Sequence, residues 1–155
     1  LLFPSSQTVA FGTGDFTIEF WYYTGTTSGF RGLFSTSSTD GETGTFRAYL
    51  NNANTGITMK VGTTDTSFTQ TLTANAWVHL AFVRSSGTLA MYYNGTKNGT
   101  TASITNDILA KPLIIGANFI NGTEPFTGYF DDIRISKYAR YTANFTVQTS
   151  QWQDQ

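Results

Sequence analysis

Phe16-Thr17-Ile18-Glu19-Phe20-Trp21-Tyr22-Tyr23 sets Phe16, Ile18, Phe20 and Tyr22 on one face of an extended chain and Thr17, Glu19, Trp21 and Tyr23 on the other. That alternation predicts a strand with one face in a core. Working outward, shorter runs follow at Gly32–Ser37, Phe46–Asn51, Ile57–Val61 and Ser67–Leu72, separated by clusters of Gly, Asn, Asp and Thr. They read as a meander. Trp77–Arg84 and Thr88–Tyr93 flank Ser85-Ser86-Gly87 as a hairpin, and Asn94-Gly95 turns the chain into a third strand at Thr96–Thr100. Leu113–Gly116 predicts a short buried strand and Gly128–Ile135 a long final one, with a single helical turn expected between Ser136 and Tyr141. About ten or eleven short strands with no long helical periodicity predict an all-β, antiparallel two-sheet sandwich.

Composition agrees. Only 12% of the 155 residues are charged while 15% are aromatic, so polar uncharged side chains carry solubility and residues suited to pleated surfaces dominate. The length suits one domain over residues 1–155 with a real core. Lys and Arg total 9, net charge is −1, and no basic run exists to follow a phosphate backbone, so nucleic acid is not an expected partner. Without cysteine there is no disulfide or thiolate chemistry. No stretch is long and apolar enough for membrane insertion as a helix. Leu1-Leu2-Phe3-Pro4 lacks the basic and long apolar regions of a signal peptide and reads as a strand end, which suggests a chain excised from a longer protein.

Several segments match a family pattern in order. Phe11–Trp21, Trp77-Val78-His79-Leu80-Ala81, Tyr92-Tyr93-Asn94-Gly95 and Gly128-Tyr129-Phe130-Asp131-Asp132-Ile133-Arg134-Ile135 resemble the concanavalin A-like, laminin G-type jelly-roll domains. The resemblance spans nearly the whole chain and implies a jelly roll that binds carbohydrate or protein. Ala139–Thr146 resembles the variant found in bacteriophage capsid, tail and fibre proteins and in some bacterial surface proteins. That implies a virion surface, with other virion proteins or host-surface glycans as partners. The alternative is a lectin-like domain that is extracellular or on the bacterial cell surface. Fold alone does not choose.

Glycoside hydrolysis needs two carboxylates at a defined separation, and jelly-roll glycosidases carry Glu-x-Asp-x-x-Glu on one strand. No such run occurs here, so a glycoside hydrolase is the minor alternative and no catalytic residue is assigned. Asp131, in phase with Ile133 and Ile135, is expected to be a buried structural carboxylate satisfied by backbone donors, Arg84 or Arg134. Asp132, pointing the other way along the strand, is expected to be a solvated or salt-bridged partner, and Glu19 is expected to pair with an arginine across the sheet. His79, the single histidine, excludes a histidine-rich metal site and reads as a structural hydrogen-bonding group. Because some laminin G-type domains hold calcium at a sheet edge, the resemblance makes calcium a candidate ligand of Asp40 and Glu42, assisted by Asn118, Asn121 or Glu124. Glycan recognition needs an aromatic platform beside amide, carboxylate or Arg groups, and Phe30-Arg31 with Asn118, Phe119, Asn121 and Glu124 has that chemistry. Asn94, Asn98, Asn121 and Asn144 each open an Asn-x-Ser/Thr sequence, a frequency expected where Asn and Thr are abundant.

Overall fold

A computed structural model describes Leu2, residues 8–51 and residues 55–150. The strands in chain order are β1 (Thr8–Val9), β2 (Phe16–Tyr23), β3 (Arg31–Ser35), β4 (Phe46–Leu50), β5 (Gly56–Val61), β6 (Thr64–Thr69), β7 (Trp77–Ser85), β8 (Thr88–Tyr93), β9 (Thr96–Ser103), β10 (Lys111–Pro112), β11 (Ile114–Ile115) and β12 (Tyr129–Ser136). They form two five-stranded sheets, β11-β3-β4-β5-β6 and β12-β2-β7-β8-β9, with β1-β10 as a separate pair. Every pairing between strands is antiparallel. The meander and the three-strand run read from sequence are both present. β6 begins earlier than expected because the chain reverses at Gly62-Thr63, pairing Val61 with Thr64 and sending Thr66 and Phe68 inward.

The inward rows follow the period of two. Phe16, Ile18, Phe20 and Tyr22 from β2 meet Phe46, Ala48 and Leu50 from β4 and Ile57, Met59 and Val61 from β5, all without solvent exposure. Full burial of one such Phe, Leu or Ile side chain is worth about 1.5–3 kcal/mol, so these rows supply the main driving force. Phe34 bridges the sheets edge-on, its ring 6.1 Å from Phe20 and 5.6 Å from Phe82. At one end of the core Arg84 is fully buried, and its guanidinium donates to the backbone oxygens of Gly14 (2.7 Å), Gly12 (2.7 Å) and Asn106 (2.9 Å). Arg84 therefore satisfies main chain and does not serve Asp131. Burial lowers its pKa against the opposing pull of Asp15 and Asp107.

The second sheet is covered on its outer face as well. Over residues 137–150 the chain forms no helical turn; residues 137–147 cross the sheet as an irregular strap. Tyr141 and Phe145 stack at 3.5 Å and lie over Ala81, Val83, Ala90 and Tyr92. Beneath the strap sits Glu19, with no exposed surface. Its Oε1 accepts from Arg134 Nε at 2.7 Å and its Oε2 from the Tyr141 hydroxyl at 2.8 Å. Arg140 Nε lies 3.7 Å from the same carboxylate, and His79 Nε2 is 3.4 Å away, at ion-pair distance but outside hydrogen-bond geometry. The expected pairing of Glu19 across the sheet is present, and the His79 ring faces the same carboxylate, close enough to pull on its charge though no well-aligned hydrogen bond to the ring is found among the described residues. Burial alone would raise the Glu19 pKa, but His79, Arg134 and Tyr141 outweigh it and hold the carboxyl below its ordinary value. Burial, then the hydrogen bond to Glu19, pushes the Tyr141 phenol up to about 12.

Asp131 departs from its expected place. The register of β12 on β2 shifts between Asp131 and Arg134, and Asp132 has φ 47°. This bulge inserts an extra residue, so Phe130, Ile133 and Ile135 pack on the core while Asp131 turns outward beside Trp21 and is exposed. Of the first four residues, Leu2 makes an isolated bridge to Ile114; Leu1, Phe3 and Pro4 lie outside the described residues.

The four Asn-x-Ser/Thr asparagines hold backbone in place. Asn94 Oδ1 accepts the His79 N–H, Asn98 the Thr100 N–H, Asn121 the Thr123 N–H and Asn144 the Lys97 N–H. Asn94 (φ 49°) and Gly95 (φ 77°) form the tight turn on which the strap rests. Phe145 N–H donates to Gly95 O at 3.0 Å, and a Cβ on Gly95 would meet Phe145 O at 2.1 Å.

Two predictions follow from this packing. Gly95→Ala is expected to cost at least about 1–2 kcal/mol through its left-handed backbone alone, with more from the displaced strap. Gly99→Ala, which has open space and an ordinary φ, is expected to stay within about 0.5 kcal/mol; urea denaturation of both variants checks the difference. For Glu19, a pKa lowered on folding means stability that is present above the unfolded value of 4.5 and lost as pH falls through the folded value. Glu19→Gln should cost about 3 kcal/mol at pH 7, the low end for breaking a buried ion pair because Arg134 keeps some access to water. It should also flatten the acid limb below pH 4.5, measured as melting temperature against pH.

Candidate functional site

The open outer face of the first sheet carries a depression of about 300 Å³ whose lining includes Phe30, Asp40, Arg47, Asn118, Phe119 and Glu124. Its floor comes from β4, where the alternation Phe46-Arg47-Ala48-Tyr49-Leu50 sends Arg47 and Tyr49 away from the core. Its wall is the loop over residues 116–126. Gly32 on β3 lets that loop approach: a Cβ there would lie 1.8 Å from the Asn118 nitrogen. The Gly32 N–H donates to Glu124 O at 2.9 Å, Ile120 N–H to Ser37 O at 2.9 Å and Phe126 N–H to Gly116 O at 2.9 Å. Backbone bonds thus tie the loop to β3 at Gly32, to the segment after β3 at Ser37, and to itself at its base.

Within the depression the Arg47 guanidinium lies 4.5 Å from the centre of the Phe119 ring and 5.0 Å from that of Tyr49. It is held by Asp40 Oδ1 at 2.5 Å, and Lys60 reaches the same oxygen at 2.9 Å. The Lys60 hydrogen bond and the charge of Arg47 keep the Asp40 carboxyl below its ordinary range. Phe30, 48% exposed, meets Tyr49 with ring centres 5.9 Å apart and forms an apolar lip. Asn118 is almost wholly buried. Its Nδ2 donates to Glu124 Oε2, while its Oδ1 has no hydrogen-bond partner among the described residues. Glu124 itself holds a positive φ of 51°. An unsatisfied buried amide oxygen and a strained carboxylate residue side by side mark a place where ordinary folding rules are broken.

The residues singled out from sequence divide. Phe30, Asn118, Phe119, Glu124 and Asp40 come together here. Arg31 does not: its Nε donates to Ser28 O at 2.7 Å and Nη1 to Thr127 Oγ1 at 2.8 Å, bracing a neighbouring loop. Asn121 is spent in its own turn on Thr123. Glu42 accepts from Ser38 N–H and Oγ, each at 2.7 Å, and pairs with Lys111, which brings its pKa down to about 2. Arg47 and Tyr49 were missed, although the alternation of β4 was enough to place them outward.

A model of the concanavalin A-like lectin/glucanases superfamily, of laminin G type, matches residues 2–144. No curated protein matches the chain. Among solved structures, the heptameric SAP-like pentraxin of Limulus polyphemus aligns with TM-score 0.68 at 20% identity, over 89% of this chain and 70% of that one. Ruminococcus gnavus IT-sialidase CBM40, solved with α2,3-sialyllactose, aligns with TM-score 0.69 at 15% identity, over 85% of this chain and 80% of that one. Domains LG4-5 of the mouse laminin α1 chain align with TM-score 0.60 at 14% identity, over 92% of this chain and 44% of that one. At these identities the structural likenesses speak for the fold, and they agree with the sandwich described above. With its family model running across nearly all of the sequence, the chain belongs to the concanavalin A-like lectin/glucanases superfamily.

Proposed function

We propose that the chain is a non-catalytic, lectin-like domain that binds carbohydrate in the depression beside Arg47. The observation that carries this reading is the exposed Phe30 lip beside Arg47 and Glu124 in one depression. The ring face of a sugar covers the aromatic edge. Arg47 and Glu124 add a donor and an acceptor of the kind that orient hydroxyls. The R. gnavus domain of this fold was solved with sialyllactose, which supports glycan as the ligand class. A secreted or cell-surface setting goes with that reading.

A glycosidase needs one carboxylic acid with a raised pKa to protonate the leaving oxygen. Asp40 is held below its ordinary value by Lys60 and Arg47, the opposite of that requirement. A virion setting is the finer reading offered by residues 139–146. Its support is weakened because Tyr141, Asn144 and Phe145 are all occupied in holding the strap, so the motif is accounted for by folding. Clustering of the parent gene with virion structural genes would favour that setting and docking to other virion proteins.

The residues do not fit a calcium ion as they stand. The protein's own cations fill Asp40 and Glu42, and among the described residues no group of three His, Cys, Asp or Glu side chains converges. Calcium at millimolar concentration is expected to leave the melting temperature unchanged; a rise reversed by chelator would count against this. Glycan array screening followed by calorimetry tests the main proposal. Phe30→Ala should weaken the best glycan about three- to tenfold, in line with loss of one stacking contact of about 0.5–1.5 kcal/mol. No array signal, or full affinity in Phe30→Ala for every glycan that binds, would overturn it.

A further inference from the structure

A second surface lies on the other sheet. β12, β2 and β7 set Tyr129, Tyr23 and Trp77 directly opposite one another. Their rings form a row across three strands, with centres 6.1 Å apart for Tyr129 and Tyr23 and 5.8 Å for Tyr23 and Trp77. Tyr129 is 67% exposed and Trp77 46%. The next row on the same face is Asp131, Trp21 and His79. From His79 onward the face is closed by the strap, since Phe145 packs on His79 and Tyr92. What stays open is the aromatic row and a groove of about 240 Å³ lined by Trp21, Trp77, Asp131, Asp132 and Thr149.

Three neighbouring aromatic side chains in water are costly for a domain that has enough Thr and Ser to finish a sheet in polar residues. The backbone strain of β12 is spent at the same place. The bulge with Asp132 at φ 47° turns Asp131 out beside Trp21. Asp131 Oδ1 accepts the Asp132 N–H at 2.8 Å, and its other oxygen has no hydrogen-bond partner among the described residues.

We propose that this row is a second carbohydrate site, separate from the depression on the first sheet, and that it takes a soluble, uncharged oligosaccharide of pyranose units. The apolar faces of consecutive sugar rings lie on Tyr129, Tyr23 and Trp77, and Asp131 accepts from their hydroxyls. Charge decides against an acidic glycan: Asp131 is exposed in the groove, and among the described residues no Lys or Arg lines it. The tilt of the rings decides against a crystalline surface. Interplanar angles of 58° between Tyr23 and Trp77 and 53° between Tyr23 and Tyr129 make a twisted support, which follows a single chain and not a flat array of them.

The test is calorimetric titration of the whole domain with cellohexaose and with chitohexaose, repeated with Trp77→Ala, Tyr129→Ala, Asp131→Asn and Phe30→Ala. Melting curves confirm that each variant is folded. Saturable binding of at least one hexaose is expected, weakened about three- to tenfold by Trp77→Ala and by Tyr129→Ala, with a smaller loss in Asp131→Asn. Phe30→Ala, which alters the depression, should bind as the wild type does, and 3′-sialyllactose should not compete. The proposal is overturned by no saturable heat with either hexaose at millimolar concentration, by unchanged affinity in both aromatic variants, or by binding confined to microcrystalline polysaccharide. Loss in Phe30→Ala with full affinity in Trp77→Ala would also overturn it, while leaving the depression as the glycan site.

Discussion

A carboxylate without solvent contact on the outer face of a sheet is an unusual thing to build around, and Glu19 obliges the rest of this molecule to accommodate it. Its charge is tolerable only while Arg134, Tyr141, Arg140 and His79 surround it. Two of those groups, Arg140 and Tyr141, arrive on the strap, more than a hundred residues away in sequence. The strap meets Glu19 beside β12, which pairs with β2 and carries Arg134 to the same carboxylate. Satisfying one acid therefore couples the second strand of the chain to the last.

That coupling divides the molecular surface. The outer face of the second sheet is sealed over Ala81, Val83, Ala90 and Tyr92, where Tyr141 and Phe145 do what a third layer does in larger folds. The sealing stops at His79. On one side of it lie aromatic rings and carboxylates open to water; on the far side of the sandwich lies a depression in which a guanidinium is pinned between two rings. A paired guanidinium on one face and open aromatic rings on the other give the domain two distinct chemistries on a single frame.

Most of the frame was legible in the sequence because a strand announces itself every second residue. β2, the β7-β8-β9 run and the β3-to-β6 meander needed only alternation and turn residues. Phe30, Asn118, Phe119 and Glu124 were legible by their chemistry as loop groups, and the loop carrying the last three is brought to Phe30 by Gly32. What failed was whatever depended on a count. In Asp131-Asp132-Ile133 nothing reveals that one residue is extra, and a bulge reverses the face of everything before it. The strap was hidden for a different reason. Its residues follow no period, because its shape is set by the Glu19 cluster, the Asn94-Gly95 turn and the ring of Tyr92, all remote in sequence. Arg47, by contrast, was within reach of the alternation rule and was passed over because a lone arginine on a strand carries no motif.

Arg84 closes the end of the core by donating to three carbonyl oxygens, with its guanidinium over the Phe16 ring. Main-chain oxygens belong to every amino acid, so this clasp recognises the path of the loops around Gly12, Gly14 and Asn106 and not their lettering. Substitution in those loops is therefore constrained by backbone shape first, and by residue identity only where that shape demands it, as at Gly12 with its φ of 57°. The same end of the sandwich can acquire new surface chemistry over evolutionary time without renegotiating the bond that holds it shut.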